Sequence, residues 1–411
     1  MTAPLPLLGM AVLLGAAVAL STDRRAISLR TVGGAFAIQV GLGALVLYVP
    51  AGRRLLQAVA GAVQTVMDSA QAGMDFLFGG LVGAAATERG LGFIFAFEVL
   101  PLIVFFSSLI AVLYHLGIMP WVVRVLGGAL QRVLGTSRTE SLSATANIFV
   151  GLTEAPLAVR PYVAGMTRSE LFAVMVGGLA SVAGTVLGGY AALGVDLRYL
   201  VAASFMAAPG GLLMAKIMLP ETEHPREDVA AVTAGEEGPV NVIDAAATGA
   251  GSGLVLAANV GAMLLAFIAL IALANVILGV VAGWAGIEGL TFEAILGWLF
   301  APIAVLVGVP WGEAVAAGGL FGQKLVLNEF VAFVNLMESG GSLSDRTRAI
   351  TTFALCGFAN FASIAILIGG LGGMAPSRRQ DIARLGIRAV VAGSLANLMS
   401  AAIAGFFLGL G

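Results

Sequence analysis

Two glutamates stand where an apolar chain should not carry charge. Glu154 lies in NIFVGLTEAPLAV (147–159) and Glu329 in KLVLNEFVAFVNL (324–336), each in a short polar break within an apolar stretch. Charge at bilayer depth costs roughly 2.5–3.5 kcal/mol on insertion scales, so its retention argues for function. Around the first acid stand Asn147, Leu152 and Thr153, with Gly151 for a turn. Pro156 suits the first turn of a new half-helix, whose N-terminus would aim backbone donors at a ligand. The following segment VMVGGLASVAGTVLGGY (174–190) carries Ser181 and Thr185 among glycines. Hard cations such as sodium want oxygen ligands, and unwound backbone supplies carbonyls. Asn147 and Ser181, with carbonyls near Val150 and Val182, could build such a site. The plainer role of each Ser, Thr and Asn is a hydrogen bond between helices.

The second acid has Asn328 beside it and CGFANFASIAILIGG (356–370) downstream. Asn360 and Ser363 are three apart and share a face of one helical turn. A carboxylate, an amide and a hydroxyl form a donor-and-acceptor set suited to vicinal hydroxyls. Phe358 could pack on a flat or ring-shaped ligand. The plainer alternative for Glu329 is an ion pair with Lys324. Glu98, in FAFEVLP (95–101), is a third candidate acid, with a bland place near a membrane face as its alternative.

The elements that must position these groups follow from composition. The chain has 411 residues, 59% hydrophobic and only 11% charged. Soluble domains carry about 25% charged residues, so this is a polytopic membrane protein. A net charge of −2 offers no footprint for nucleic acid. The lone Cys356 excludes an intrachain disulfide, and His115 and His224 lack metal-ligand spacing. The apolar N-terminus has no basic n-region and reads as a first spanning helix, not a signal peptide.

Spanning-length apolar segments lie near 4–21, 31–49, 91–116, 170–191, 198–218, 251–282, 347–369 and 386–409, which predicts eight spans. Residues 54–80, and with them 119–135 and 290–308, suit interfacial or packed amphipathic helices. Residues 139–165 and 311–337 are too interrupted to span and predict two re-entrant hairpins, backbone tolerated only when buried in protein or lining a wet cavity. The arginines of loops 22–30 and 376–388 place both loops in the cytoplasm and both termini outside, with Arg53 and Arg54 counting against the scheme. The order hairpin, acid, helix cap, broken helix occurs twice, with Ser169 and Ser344 as expected N-caps. Opposed entry of the hairpins would make these inverted repeats. The expected organisation is an N-terminal scaffold part (1–118), a first repeat (119–218), a polar linker (219–245), a second repeat (246–375) and a C-terminal helix (376–411).

Five ordered segments carry a resemblance. NIFVGLTEAP (147–156), NVIDAAATGAGSGLVLAANVGAMLLAF (241–267), GVPW (308–311), KLVLNEFVAF (324–333) and CGFANFASIAILIGGLG (356–372) resemble signatures of the concentrative nucleoside transporter family. FEVLPLIVFFSSLIAVLYHLGIM (97–119) is similar too. The resemblance is dense over residues 90–373. It implies a homotrimer in a bacterial inner membrane, eight spans, two opposed hairpins and an elevator-like transport domain. It implies nucleoside symport, with sodium in most members and protons in some bacterial ones. Carried over by motif, Leu152, Thr153, Glu154 and Val186 face the nucleobase. Asn328, Glu329, Phe358, Asn360 and Ser363 hold the ribose side. Asn147, Val150, Ser181 and Val182 match the sodium positions, which favours sodium over protons. Leu152 departs from the family pattern, which has glutamine there, so a polar base contact is missing. A proton-coupled symporter is the nearest alternative. A passive channel would want a ring of like charges or carbonyls. An intramembrane enzyme would want a nucleophile–base pair or a metal set, and none is visible.

Overall fold

The computed structural model describes residues 4–225, 239–284, 286–287, 289–338 and 341–410. Their regular structure is helical, with no strand among the described residues. The N-terminal part comprises α1 (Pro4–Ala19), α2 (Leu29–Leu47), α3 (Pro50–Phe78), α4 (Gly83–Glu88), α5 (Phe95–Glu98) and α6 (Leu100–His115). Next come α7 (Ile118–Leu134), α8 (Arg138–Ala146), α9 (Arg160–Val163), α10 (Arg168–Ala180), α11 (Gly184–Ala192) and α12 (Leu197–Met218). The remainder is α13 (Val242–Trp284), α14 (Phe292–Leu306), α15 (Ala314–Val326), α16 (Glu329–Glu338), α17 (Asp345–Leu355), α18 (Ala362–Met374) and α19 (Arg379–Phe407).

Local chemistry sets these boundaries. Pro50 occupies the first turn of α3, where its missing N–H leaves no gap. The exposed side of α3 is tied by Gln64–Asp68 and Gln71–Asp75 side-chain bonds of 2.8 and 2.7 Å. Its other side buries Met67, Ala70 and Met74, the two-faced pattern of an interfacial helix. Gly135 ends α7 at φ +69°, a conformation that favours glycine. Ser137 then caps α8 in a capping box with Glu140.

Six helical stretches of described residues are long and apolar enough to cross a membrane. The segment near 4–21 forms a shorter helix, and 347–369 is divided between α17 and α18. The expected cap Ser169 is a correction: Thr167 caps α10 instead. Thr167 Oγ1 accepts from Glu170 N at 3.0 Å, and the Glu170 carboxylate accepts from Thr167 N at 2.9 Å. Ser169 donates its hydroxyl to Leu219 O and accepts from Lys216 Nζ. Ser344 caps α17 as expected. Within the expected linker, Glu227, Asp228, Glu236 and Glu237 lie outside the described residues, and α13 already begins at Val242.

The centre of the molecule is α10, α12, α17 and α19, whose side chains are mostly buried. Lys216 of α12 ties the base of α8 into this centre through an ion pair with buried Glu140. The long α13 behaves differently. At about 1.5 Å rise per residue it extends about 65 Å, beyond the roughly 30 Å bilayer core. Much of its apolar surface faces outward, Leu254, Leu265 and Val276 included.

What fixes α13 is close backbone approach to α6. A Cβ built on Gly249 would lie 2.6 Å from Ala111 Cβ, and one on Gly253 2.7 Å from Ser107 Cβ. Small residues four apart let apolar helices meet without a hydrophobic drive between them. Ser108 adds a bond to Ala246 O of 2.9 Å. Gly249→Leu should therefore overpack this contact and cost about 1–3 kcal/mol. Thermal unfolding of the detergent-solubilised variant should show a lowered midpoint, and an unchanged midpoint would refute the contact.

Candidate functional site

Both acids sit where helices stop in mid-protein. Helix α8 ends at Asn147, and an irregular turn runs through Glu154 before a short 3-10 segment at Ala155–Val159. In the turn Gly151 N donates to Glu154 Oε2 at 3.2 Å, fixing the carboxylate over its own loop. The helix pair α15–α16 breaks at Leu327–Asn328. There Asn328 Oδ1 accepts from Val331 N at 2.9 Å, capping α16 and setting Glu329 in its first turn.

Each pair faces an interrupted helix. Between α10 and α11 the chain unwinds at Ser181–Ala183, and between α17 and α18 at Cys356–Phe361. The breaks touch: Phe358 N donates to Ser181 O at 3.2 Å. The first turn docks on the first break through Gly184 N to Phe149 O, 3.0 Å. Only glycine suits position 184, since an added Cβ would lie 2.4 Å from Phe149 O.

A cavity of about 480 Å³ lies between these four irregular segments and α13. Leu152, Thr153, Glu154 and Val186 line one side, and Asn328, Glu329, Phe358, Asn360 and Ser363 the other. Every residue expected to contact a nucleoside thus borders one space. Glu329 is buried and doubly held, by Tyr190 Oη at 3.1 Å and Asn360 Nδ2 at 3.3 Å. Asn360 Oδ1 accepts from Ser363 N and Oγ at 2.9 and 3.0 Å. The alternative partner of Glu329 is engaged elsewhere: Lys324 Nζ donates to Ala354 O and Asn397 Oδ1. Glu98 does not line the cavity; its carboxylate accepts from Gly83 N at 3.3 Å.

Three groups escaped the sequence reading. Tyr190 orients Glu329 from a helix whose aromatic would ordinarily be read as core. Ser252 and Asn259 place polar groups on the α13 wall, beside Val255, Leu256 and Met263. Their spacing of seven, two helical turns, was a legible sign of one polar face in an apolar helix. Leu152 is buried, and its Cβ would lie 2.9 Å from a Cβ on Gly178.

The cation candidates cluster at the first break. Asn147, Val150, Ser181 and Val182 are all buried. Asn147 donates through Nδ2 to Ser143 O at 2.9 Å, but its Oδ1 has no partner. The carbonyls of Val150 and Val182 accept no hydrogen bond among the described residues. Thr185 Oγ1 is also buried and unpartnered. A stranded buried acceptor costs about 1–3 kcal/mol, and a small cation coordinated by oxygens would relieve that cost. The Ser181 hydroxyl donates to Gly177 O at 2.9 Å, which leaves its oxygen lone pairs facing no other donor among the described residues, and its carbonyl accepts from Phe358 N at 3.2 Å. Among the described residues no group of His, Cys, Asp and Glu could hold a metal ion.

Known proteins resemble this chain over nearly its whole length. Residues 199–405 match the family model of the Na+ dependent nucleoside transporter C-terminus, and residues 8–81 that of its N-terminus. Residues 96–196 match a gate model described as nucleoside recognition. The nucleoside permease NupC of Helicobacter pylori is 52% identical over 410 residues, covering 98% of this chain and 97% of the relative. CNTnw in an inward-facing substrate-bound state is 61% identical with a TM-score of 0.95, covering 100% of this chain and 99% of that one. A doubly substituted CNTnw in an outward-facing state is 60% identical with a TM-score of 0.98, both chains being covered fully. The chain belongs to the Na+ dependent nucleoside transporter family.

Proposed function

We propose that this protein imports nucleosides by symport with sodium across a bacterial inner membrane. The observation that carries the reading is one cavity lined by Glu329, Asn360 and Ser363 together with Thr153 and Glu154, at whose first break the buried Asn147 Oδ1 has no partner. Glu329, with Asn328 near it, accepts from the ribose hydroxyls. Asn360 and Ser363 complete that set, and Phe358 packs on the ligand. Leu152, Thr153, Glu154 and Val186 face the base. The α8 and α15–α16 pairs act as opposed re-entrant hairpins of two inverted repeats, in a chain of eight spans with both termini periplasmic. The apolar outward face of α13 meets lipid and the other subunits of a homotrimer.

Sodium enters this scheme as a co-substrate. Coordinated by Asn147, Val150, Ser181 and Val182, it orders the first turn against the first break and so forms the base side. Ion and nucleoside then raise each other's affinity by the same factor. Access alternates by elevator-type movement of the part that carries both hairpins. Proton coupling is the second reading, with Glu154 or Glu329 titrating, and the stranded oxygens at Asn147 favour sodium over it. A channel is disfavoured because the lining groups are mixed donors and acceptors rather than a ring of one kind.

Three measurements test this. In proteoliposomes, an inward sodium gradient should drive uridine above its equilibrium level; uptake indifferent to sodium would sink the sodium claim. Glu329→Gln should lower nucleoside affinity about 10–100-fold, the expected loss for hydrogen bonds to a charged acceptor. Normal uptake in that variant removes Glu329 from the ribose site. Leu152→Gln restores an amide at the base side and should shift base preference or tighten binding about 2–10-fold. Unchanged affinity across a purine and pyrimidine panel would mean that the position does not read the base.

A further inference from the structure

The two breaks are satisfied in different ways. At the first, Asn147 Oδ1 and Thr185 Oγ1 are buried without partners. At the second, among the described residues, no side-chain polar atom of segments 323–329 or 354–361 is stranded. On α17 itself Thr351 Oγ1 is buried without a partner, but the break holds a buried cation of its own, Lys324. This residue of α15 is 4% exposed. Its ammonium donates to Ala354 O at 2.8 Å and to Asn397 Oδ1 at 2.6 Å. Ala354 lies in the last turn of α17, where a carbonyl has no helical partner and the helix end is electronegative. The N–H that would continue the helix, that of Phe358, is given to Ser181 O instead.

Asn397 of α19 completes the arrangement. Its Nδ2 donates to Ala180 O at 2.6 Å and to Cys356 O at 3.0 Å, the carbonyl ends of α10 and α17. One amide therefore holds both breaks and presents its oxygen to the ammonium. Glycine at 357 is required for this approach, since a Cβ there would lie 2.3 Å from Asn397 Oδ1. Phe361 N, at the far end of the break, donates to Leu325 O at 3.2 Å, the residue after Lys324.

We propose that Lys324 is a tethered cation that does for the second interrupted helix what the coupling ion does for the first. The Glu329 side of the cavity is thereby formed without sodium, and ion binding completes only the Glu154 side. Lys324 is a positioning residue, touching the carbonyl end of α17 rather than the ligand. The inference rests on the sodium–nucleoside reading for its comparison with the first break, and the experiment separates the two.

Hydrogen–deuterium exchange of the full-length protein in lipid nanodiscs is measured in sodium and in choline. Sodium should slow exchange at 147–154 and 181–186 at least about threefold and leave 325–329 and 356–361 unchanged. In Lys324→Gln, exchange at 325–329 and 356–361 should rise, and the nucleoside KM about tenfold, with kcat and sodium half-saturation within about twofold. Sodium protecting both breaks equally in the parent overturns the proposal, as does parental exchange and KM in the variant. Protection of neither break by sodium removes the sodium reading and leaves the variant to decide on Lys324. Should the variant not fold, the contrast between the two breaks in the parent decides.

Discussion

The structure depends on how an apolar protein tolerates backbone that stops being helical in its interior. Each break strands carbonyls and amides that water cannot reach, and each such group must find a partner. Here the partners come from elements far away in sequence. Asn397 binds both carbonyl ends, the two breaks bond each other through Phe358 and Ser181, and the two helix pairs dock through Phe149 and Leu325. The glycines at 184 and 357 are the steric condition for this, because a side chain at either would push the segments apart. Packing of α10, α12, α17 and α19 is the frame that keeps these four segments in register.

The cavity is a by-product of that same problem. Groups freed from helical bonding point inward, where Glu329 is oriented by Tyr190 and Asn360. On the Glu329 side, Tyr190, Glu329, Asn360 and Ser363 form a continuous chain of hydrogen bonds. The Glu154 side is less complete: among the described residues Glu154 is bonded only within its own turn, and the Leu152 side chain contributes no polar group. The two sides are therefore unequally prepared, and the buried oxygens left without partners lie at the first break.

Much of this was legible as polar residues in apolar surroundings. Glu154, Glu329, Asn360 and Ser363 stood out because charge and amides are expensive there, and one cavity gathers them. The helix breaks were legible from the same signal. Tyr190 was not, because an aromatic at the end of an apolar helix has no sequence mark of its hydroxyl's partner 139 residues away. Thr167 and Glu170 stand in capping-box spacing, and that reciprocal pairing, rather than the hydroxyl of Ser169 two residues on, sets the start of α10. The reach of α13 into the polar segment before it was hidden because Asn241 and Asp244 read as loop while serving its first turn.

The composition of the α13 wall bears on friction. Among the described lining residues, α13 offers the ligand only Ser252 and Asn259 as polar side chains, the rest being Val255, Leu256, Val260 and Met263. The hydrogen-bonding groups sit almost wholly on the other four segments. A ligand held by those segments would break few directional contacts in moving along α13, since dispersion against aliphatic side chains changes little with register. The α13 wall is thus the plain side of the cavity, and the grip on a solute would be set by the other four segments.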